Sequence, residues 1–145
     1  MTLKFRPFVD PDLAGFQRWF EDPEIARRLD FPSQEWLDYV KTPDAGCLVV
    51  CEEGTAVAVV QMDHDPSGCE HLSLVVNPKH RHAGIGARVM TAFFAGPGKK
   101  MRELCACIDP DNKASLALAK RLGFSIENTC DRDGMVTVIR QRSAA

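Results

Sequence analysis

One short segment of the chain combines glycines, a predicted helix start and a cationic side chain. Arg81, Gly84 and Gly86 form the pattern R-x-x-G-x-G, which lies directly between an apolar run and an amphipathic run. This order predicts a strand, a tight turn and a helix, so backbone N–H groups and the positive end of the helix dipole converge on one point. The glycines let a ligand approach the backbone, and a guanidinium suits a pair of phosphate oxygens. The segment therefore predicts a pyrophosphate-binding turn.

Two other phosphate-binding patterns are absent from the sequence. A P-loop requires G-x-x-x-x-G-K-S/T, and no segment fits it. A Rossmann fingerprint requires three glycines in the pattern G-x-G-x-x-G, whereas Gly84 and Gly86 have no third glycine after them. A nucleotide such as ATP or NAD is therefore a less favoured ligand for this turn.

A second segment, residues 112–124, follows a predicted strand and has polar and apolar residues at the spacing of a helix. Asn112 can cap this helix, and Gly123 can end it in a left-handed conformation. Together with the glycine turn, the segment resembles the GNAT N-acetyltransferases, whose second signature is N-x-x-A/S-x-x-L-Y-x-K-x-G-F. The matching residues are Asn112, Ser115, Leu118, Gly123 and Phe124.

The resemblance to the GNAT family implies a cofactor and a reaction. In that family the pyrophosphate of acetyl-coenzyme A lies on the glycine turn, its pantetheine arm runs along the preceding strand, and an amine attacks the thioester in a ternary complex. Here, backbone N–H groups near Val75 and Val76 would polarise the carbonyl, and Asn112 would hydrogen-bond the arm. The predicted cofactor-binding residues are Leu74, Val75, Val76, Arg81, His82, Ala83, Gly84, Ile85, Gly86, Ala87, Asn112 and Ser115.

The general acid of the family is missing from this sequence. The family's tyrosine corresponds to Ala119, and the only tyrosine of the chain, Tyr39, is distant in sequence. A thiol of pKa about 8.5 is a tolerable leaving group without a strong acid, so turnover is not excluded. Ser115 and Cys107 are weaker candidates for the proton donor.

A general base is needed, because an amine of pKa about 10.4 is almost fully protonated at pH 7. Glu70 begins the strand that would carry the thioester, where family members often place a carboxylate, and it is the first candidate for a catalytic residue. The alternative is an exposed carboxylate at a strand end with no catalytic role. The next candidates are Asp63, His64 and His71.

Composition and charge restrict the class of protein. With 145 residues, 45% of them hydrophobic and 26% charged, the chain can form one domain around one core. A net charge of −2 argues against nucleic-acid binding, although residues 78–102 contain six basic residues and no acidic one, which suits an anionic cofactor. No apolar run is long enough to span a membrane, and the N-terminus has no signal-peptide core, so we expect a cytoplasmic protein.

The six cysteines do not follow a recognised ligand or disulfide pattern. No C-x-x-C is present, and no histidine pair lies at ligand spacing beside a cysteine pair. Reduced thiols, without a disulfide or a metal site, are therefore the expectation for a protein of the cytoplasm.

The predicted elements follow the order β-α-α-β-β-β-α-β-α-β-β, which is the GNAT order. We expect an α/β (α+β) fold, a single domain over residues 1–145 with a mixed, mostly antiparallel sheet of about seven strands flanked by helices. Ser33 can cap one further short helix. The predicted strands are Leu3–Pro7, Cys47–Glu52, Thr55–Met62, Glu70–Asn77, Leu104–Ile108, Phe124–Thr129 and Met135–Arg140. The predicted helices run from Asp12 to Trp19 or Phe20, from Pro23 to about Leu29, from Ala87 to Phe94, and onward from the Asn112 cap.

The sequence leaves two functions open. The first is an acetyl-CoA-dependent N-acetyltransferase whose acceptor is an amine, either a small molecule such as an aminoglycoside or a protein N-terminus. The second is a non-catalytic acyl-CoA-binding sensor or regulatory module, which the missing tyrosine favours. Monomer and homodimer are both left open.

Overall fold

The computed structural model of the chain describes residues 2–81, 83–130 and 134–141, without the side chains of residues 128–130. The strands are β1 (Leu3–Pro7), β2 (Ala45–Glu52), β3 (Thr55–His64), β4 (Cys69–Val76), β5 (Glu103–Ile108), β6 (Ser125–Cys130) and β7 (Val136–Gln141). The helices are α1 (Asp12–Trp19), α2 (Pro23–Arg28), α3 (Gln34–Val40), α4 (Ile85–Ala95) and α5 (Lys113–Arg121), and a 3-10 turn covers Pro78–His80.

The strands form one seven-stranded sheet in the order β1-β2-β3-β4-β5-β7-β6. Neighbouring strands are antiparallel except β4 and β5, which are parallel. This arrangement confirms the predicted mixed, mostly antiparallel sheet. Three helices join β1 to β2, the third being α3, which is the further short helix predicted after Ser33 and which the predicted element order did not count.

Local capping signals set where several helices begin. The Asp22 carboxylate accepts a hydrogen bond from the Ile25 N–H at 3.1 Å at the start of α2, and the Ser33 hydroxyl accepts one from the Trp36 N–H at 3.2 Å at the start of α3. Such caps satisfy N–H groups that have no acceptor within the helix. The Asp22 and Ser33 caps therefore confirm the predicted helix starts.

The sheet carries an apolar cluster on each face. Helices α4 and α5 cover one face with a cluster that includes Val89, Phe93 and Leu104. Helices α1, α2 and α3 cover the other face with a cluster that includes Phe16 and Leu37. None of the helices in the described part of the chain is long and apolar enough to cross a membrane.

The contact between β4 and β5 is short, and it shapes the region between the two strands. The pairing joins Cys69–His71 to Glu103–Cys105 and then stops. Beyond it, β4 continues to Val76 and β5 continues to Ile108, with no pairing between them in the described residues. The sheet therefore opens into a fork, and we call the region between residues 72–76 and residues 106–108 the β4–β5 fork.

Candidate functional site

The glycine turn lies where β4 leaves the fork and α4 begins. Gly84 is the N-cap of α4 in a left-handed conformation, with φ of 73°, and a Cβ atom there would meet no atom within 4 Å. The first turn of α4 has no side-chain cap and no acidic residue. Since the first N–H groups of a helix have no partner inside it, this end of α4 can receive an anion.

Gly86 has closely packed surroundings, unlike Gly84. A Cβ atom at Gly86 would lie 3.2 Å from Cδ2 of Leu118 and 3.6 Å from Cδ2 of Leu74. The space over Gly86 is therefore filled by α5 and β4 rather than left open for a ligand. The open space at Gly84 fits the prediction that a ligand can approach the backbone there, and the small size of Gly86 lets α4 pack closely against α5 and β4.

Arg81, the predicted phosphate ligand, is held by a carboxylate. Its guanidinium donates two hydrogen bonds to Asp22, with NH1 3.2 Å from Oδ1 and NH2 2.6 Å from Oδ2. The Arg81 guanidinium lowers the pKa of the Asp22 carboxyl below its ordinary value. Since Asp22 also caps α2, this ion pair fastens the start of α2 to the glycine turn.

A second contact fastens the other end of α2 to the opposite side of the fork. Arg28 donates to Asp109 at 2.8 Å and to Asp111 at 3.0 Å, in the loop between β5 and α5. Helix α2 therefore bridges the two tips of the fork, through Arg81 after β4 and through the aspartates after β5. Sequence reasoning missed this bridge, because its partners are far apart in the chain and carry no local signal.

Asn77 holds the backbone between β4 and the glycine turn, and this role was also not predicted from the sequence. Its side chain is 9% exposed, donates to the Ala56 carbonyl at 2.9 Å and accepts from the Lys79 N–H at 3.1 Å. These bonds hold the chain as it leaves β4. The Asn-Pro pair after an apolar run is a turn signal that could have identified this residue.

The predicted strand residues lie on the fork. Leu74 and Val76 pack toward the cluster beneath α4, while Val75 packs on the opposite face. Because backbone groups of a strand alternate between its two edges, every second residue here directs its N–H and C=O into the fork rather than toward β3. The fork edge of β4 thus offers hydrogen-bonding groups to an extended ligand.

Asn112 and Ser115 lie at the start of α5, beyond the tip of β5. The Asn112 side-chain oxygen accepts from the Ser115 N–H at 3.2 Å, which makes Asn112 the helix cap. The amide NH₂ of Asn112 is the chemically suitable group for contact with a ligand, since the oxygen is used as an acceptor. The remaining residues of the predicted set, Ala83, Ile85 and Ala87, lie at the glycine turn and the first turn of α4, and His82 lies outside the described residues.

The candidate bases separate onto the two faces of the sheet. Glu70 and His64 are opposite each other on β4 and β3, and Nδ1 of His64 contacts a Glu70 carboxylate oxygen. Strand alternation places Glu70 on the face of Leu72, whereas Asp63 and His71 lie on the opposite face. The structure therefore brings together the first candidate and one of the three next candidates.

Neither Ala119, at the position of the family's tyrosine, nor Tyr39, the chain's own tyrosine, is a suitable proton donor. Ala119 is 8% exposed and belongs to the cluster between the sheet and α4. Tyr39 donates from its hydroxyl to Asp63 at 2.6 Å, and this carboxylate raises the pKa of Tyr39 to about 12. Ser115 is half-buried and Cys107 is exposed.

Two cysteines that are 36 positions apart in sequence lie in contact. The sulfur atoms of Cys69 and Cys105 are 2.7 Å apart, and Cys105 Sγ lies 3.3 Å from Nδ1 of His71. Burial raises the pKa of both thiols. Because its members come from two strands, spacing along the sequence did not reveal this cluster.

Comparison with known families and structures identifies the fold. The model described as "Acetyltransferase (GNAT) family" matches residues 13–124. The chain belongs to this family. The resemblance carried by the two sequence motifs is thus confirmed.

Individual relatives cover nearly the whole chain. YfmK, an uncharacterized N-acetyltransferase of Bacillus subtilis (strain 168), is 29% identical over 140 residues, which are 94% of this chain and 95% of that protein. An aminoglycoside acetyltransferase solved with coenzyme A has a TM-score of 0.79 at 13% identity, covering 97% of this chain and 95% of that one. A spermidine N-acetyltransferase chimera from Vibrio cholerae has a TM-score of 0.80 at 11% identity, covering 97% and 96%. These structures share the fold of this GNAT protein, and the family as a whole supports acetyl transfer.

Proposed function

We propose that this GNAT protein transfers an acetyl group from acetyl-CoA to an amine by direct attack in a ternary complex. The observation that carries the proposal is the β4–β5 fork, which opens toward the uncapped start of α4. A pyrophosphate at Gly84 and a pantetheine arm along residues 72–76 would use both features together. Solved structures of the same fold that contain coenzyme A support acetyl-CoA as the cosubstrate.

The proposed cofactor site consists of the residues predicted from the sequence, and Gly86 in this set also lets α4 pack closely against α5 and β4. The N–H groups from Ala83 to Ala87 receive the pyrophosphate, and Leu74, Val75 and Val76 line the arm, which carries the thioester toward Glu70. Arg81 reaches the phosphate from its position beside Asp22. Asn112 and Ser115 close the opposite side of the fork from the start of α5.

The distance along β4 suits this arrangement. Glu70 precedes Val76 by six residues, which at about 3.3 Å per residue is about 20 Å of strand. The glycine turn and the proposed base therefore lie at opposite ends of the fork strand. An extended cofactor arm is needed to join them, and pantetheine is such an arm.

In the proposed reaction, the amine loses its proton to Glu70 or to a water that Glu70 orders. The amine nitrogen then forms a bond to the thioester carbon, and the oxyanion accepts hydrogen bonds from N–H groups on the fork edge of β4. Collapse breaks the C–S bond, the nitrogen gives its second proton to solvent to form the neutral amide, and the released coenzyme A thiolate takes a proton from solvent. This chemistry needs no metal.

We propose a cationic amine as the acceptor. Asp63, Asp65 and Glu70 lie near the end of β4 where the thioester would end, with Glu70 on one face of the sheet and Asp63 on the other, and their negative charge favours a positively charged partner. Enzymes of the same fold include an aminoglycoside acetyltransferase and a spermidine N-acetyltransferase, both named for amine substrates. A protein N-terminus is the alternative acceptor.

A non-catalytic acyl-CoA sensor is the second candidate function. The buried Ala119 and the raised pKa of Tyr39 favour it, since neither residue offers an acid to the leaving thiol. Thiol release from acetyl-CoA across a panel of polyamines, aminoglycosides and peptides separates the two. Cofactor binding without turnover on any amine would support the sensor.

The binding step is tested with a matched pair of glycine variants. Gly84→Val places a branched side chain where the pyrophosphate would lie, and we expect calorimetric titration to show no coenzyme A binding. Gly68→Val is the control, because Gly68 also has a positive φ, 95°, and open space around it, but lies in the β3–β4 turn. Equal loss of binding in both variants, or no binding by the unaltered protein, would contradict the proposed site.

A further inference from the structure

Three side chains that bind soft metals converge where β4 and β5 begin to separate. Cys69 and His71 alternate along β4 and so lie on one face, and Cys105 is the partner of His71 on β5. One ligand atom from each residue lies within 4.8 Å of the others. Cys69 is 9% exposed and Cys105 is 4% exposed, so the two sulfur atoms are shielded from solvent.

The strand register disfavours a disulfide between these cysteines. Cys69 pairs with Glu103 and His71 pairs with Cys105, so the two cysteines are diagonal neighbours offset by two residues. On ordinary sheet dimensions, diagonal neighbours lie about 8 Å apart between Cα atoms. A disulfide requires a distance of about 4.4–6.8 Å between the two Cα atoms. A metal ion bonded to each sulfur at about 2.3 Å in tetrahedral geometry needs the two sulfur atoms about 3.8 Å apart, so binding an ion separates the 2.7 Å sulfur pair by about 1 Å.

The surroundings of His71 also fit a metal ligand. Nδ1 of His71 faces Cys105 at 3.3 Å, while Nε2 lies 3.8 Å from the Asp65 carboxylate. A carboxylate beside one ring nitrogen favours a proton there and leaves the lone pair on the other nitrogen, as in many carboxylate–histidine–zinc sites. Asp65 is itself held in place, since it accepts from the Ser67 N–H at 2.8 Å and its own N–H donates to the Cys69 carbonyl at 3.1 Å.

We propose that Cys69, His71 and Cys105 bind a Zn²⁺ ion at the closed end of the β4–β5 fork. Two thiolates and an imidazole form a soft N/S ligand set that suits tetrahedral zinc. The His71 side chain is 44% exposed, which gives the ion a route of entry between the buried sulfur atoms and solvent. Glu70 projects from the opposite face of β4, so the ion is separate from the proposed base.

The site would hold the two strands together where their pairing is short. Only the pairs from Cys69 to His71 join β4 to β5, and a metal bonded to both strands reinforces that contact. The sequence-based expectation that the cysteines hold no metal is replaced by this proposal, since the register places together residues that are far apart in the chain.

The test is a titration of the reduced, metal-free protein with Co²⁺, followed by Zn²⁺ competition. We expect one ion per chain, a thiolate-to-cobalt charge-transfer band and the intense visible absorption of a tetrahedral site. Cys69→Ser, Cys105→Ser and His71→Gln should each weaken binding by about 100-fold or more, and Asp65→Asn by about 10–100-fold. Cys107→Ser is the control, because Cys107 lies on the same strand as Cys105 but outside the cluster, and its affinity should match that of the unaltered protein.

Three results would overturn the proposal. These are no bound ion in the unaltered protein, binding that persists in all three ligand variants, and intact mass spectrometry showing the Cys69–Cys105 pair two hydrogens lighter with no metal. Circular dichroism reports whether each variant folds. If the cysteine variants do not fold, His71→Gln decides the outcome, because its side chain is partly exposed and its replacement leaves both buried sulfurs in place.

Discussion

At the scale of single residues, Glu70 bears most directly on the proposed chemistry. Its carboxylate is paired with His64 across two strands, and its side chain is 22% exposed. The carboxylate is thus oriented by a neighbour and still reachable. Such a position fits a group that accepts a proton from a substrate, directly or through a water molecule.

Replacing Glu70 by glutamine keeps its size and removes its basicity. We expect Glu70→Gln to lower the rate of thiol release by about 10²–10⁴-fold, which is the usual contribution of a general base. The affinity for coenzyme A, measured by calorimetry, should stay nearly constant. Glu53→Gln, in the β2–β3 turn, is the control. Full activity in Glu70→Gln would move the role of base to Asp63 or His64.

Ala119 shows how burial changes a prediction made from a motif. From the sequence, a tyrosine at position 119 is expected to restore a proton donor and to raise the rate or leave it unchanged. The structure buries this side chain in the cluster that contains Phe94 and Phe124. A phenol at this position has to displace packed core atoms before it can approach a thioester.

We therefore expect Ala119→Tyr to destabilise the fold by about 1–3 kcal/mol, the usual cost of overpacking a core. Urea unfolding measures the change. Ala117→Tyr on the same helix is the control, because Ala117 is exposed and its replacement should change stability by about 0.5 kcal/mol or less. A stable Ala119→Tyr variant with a raised rate would show that the side chain can reach the fork after all.

At the scale of elements, helix α2 depends on contacts at both of its ends. It has six residues, which is too short for a stable helix by itself, and it is held by Asp22–Arg81 at one end and by Arg28 with two aspartates at the other. In the proposed site, the pair at its start would compete with the cofactor, because the Arg81 guanidinium N–H groups that bind Asp22 are also those that would bind a phosphate.

Asp22→Asn separates these two roles, because asparagine caps a helix as well as aspartate does. We expect coenzyme A affinity to rise by up to about fivefold, since an exposed ion pair contributes about 0–1 kcal/mol and its loss frees Arg81 for the phosphate. Arg81→Ala should lower the affinity by about 1–3 kcal/mol. The control is Asp12→Asn at the start of α1, which breaks the comparable pair between Asp12 and Arg6 of β1 and should leave the affinity for coenzyme A unchanged. Weaker binding in Asp22→Asn would mean that the pair positions Arg81 rather than competes for it.

At the scale of the whole molecule, local signals predicted most of the fold. Asp22, Ser33 and Asn112 cap helices as expected, and the Glu53–Gly54 turn joins β2 to β3 with both residues at positive φ. These features depend on residues two to four positions apart. The partners of Arg81 and of Cys69 are not predictable in this way, because register and packing bring them together over 59 and 36 positions.

Several carboxylates paired with arginine make stability depend on acidity. Neighbouring guanidinium groups lower the pKa values of Asp12, Asp22, Glu24 and Asp111 in the folded protein. A lowered folded pKa means that the ionised form favours folding. This contribution is complete above the ordinary carboxyl pKa of about 4 and is lost as the pH falls through the lower folded values.

Urea unfolding between pH 6 and pH 2.5 measures this loss. We expect a nearly constant free energy of unfolding from these groups down to about pH 5, then a progressive fall below about pH 4. Asp12→Asn should be less stable at pH 6 and should show a shallower fall, since it lacks one of the titrating carboxyls. Parallel pH profiles for the variant and the unaltered protein would show that the Asp12 pair contributes nothing measurable.

The brief pairing of β4 with β5 has a consequence for cooperativity. Strands β1 to β4 form one hydrogen-bonded unit and β5 to β7 form another, and three residue pairs connect the two. Sub-global opening of a protein follows such seams, so amide hydrogens on either side can exchange as two separate units. A ligand that bonds to both strands stabilises the closed arrangement by mass action and makes the two units exchange as one. Binding of a ligand between β4 and β5 would then slow amide hydrogen exchange in strands that the ligand does not contact.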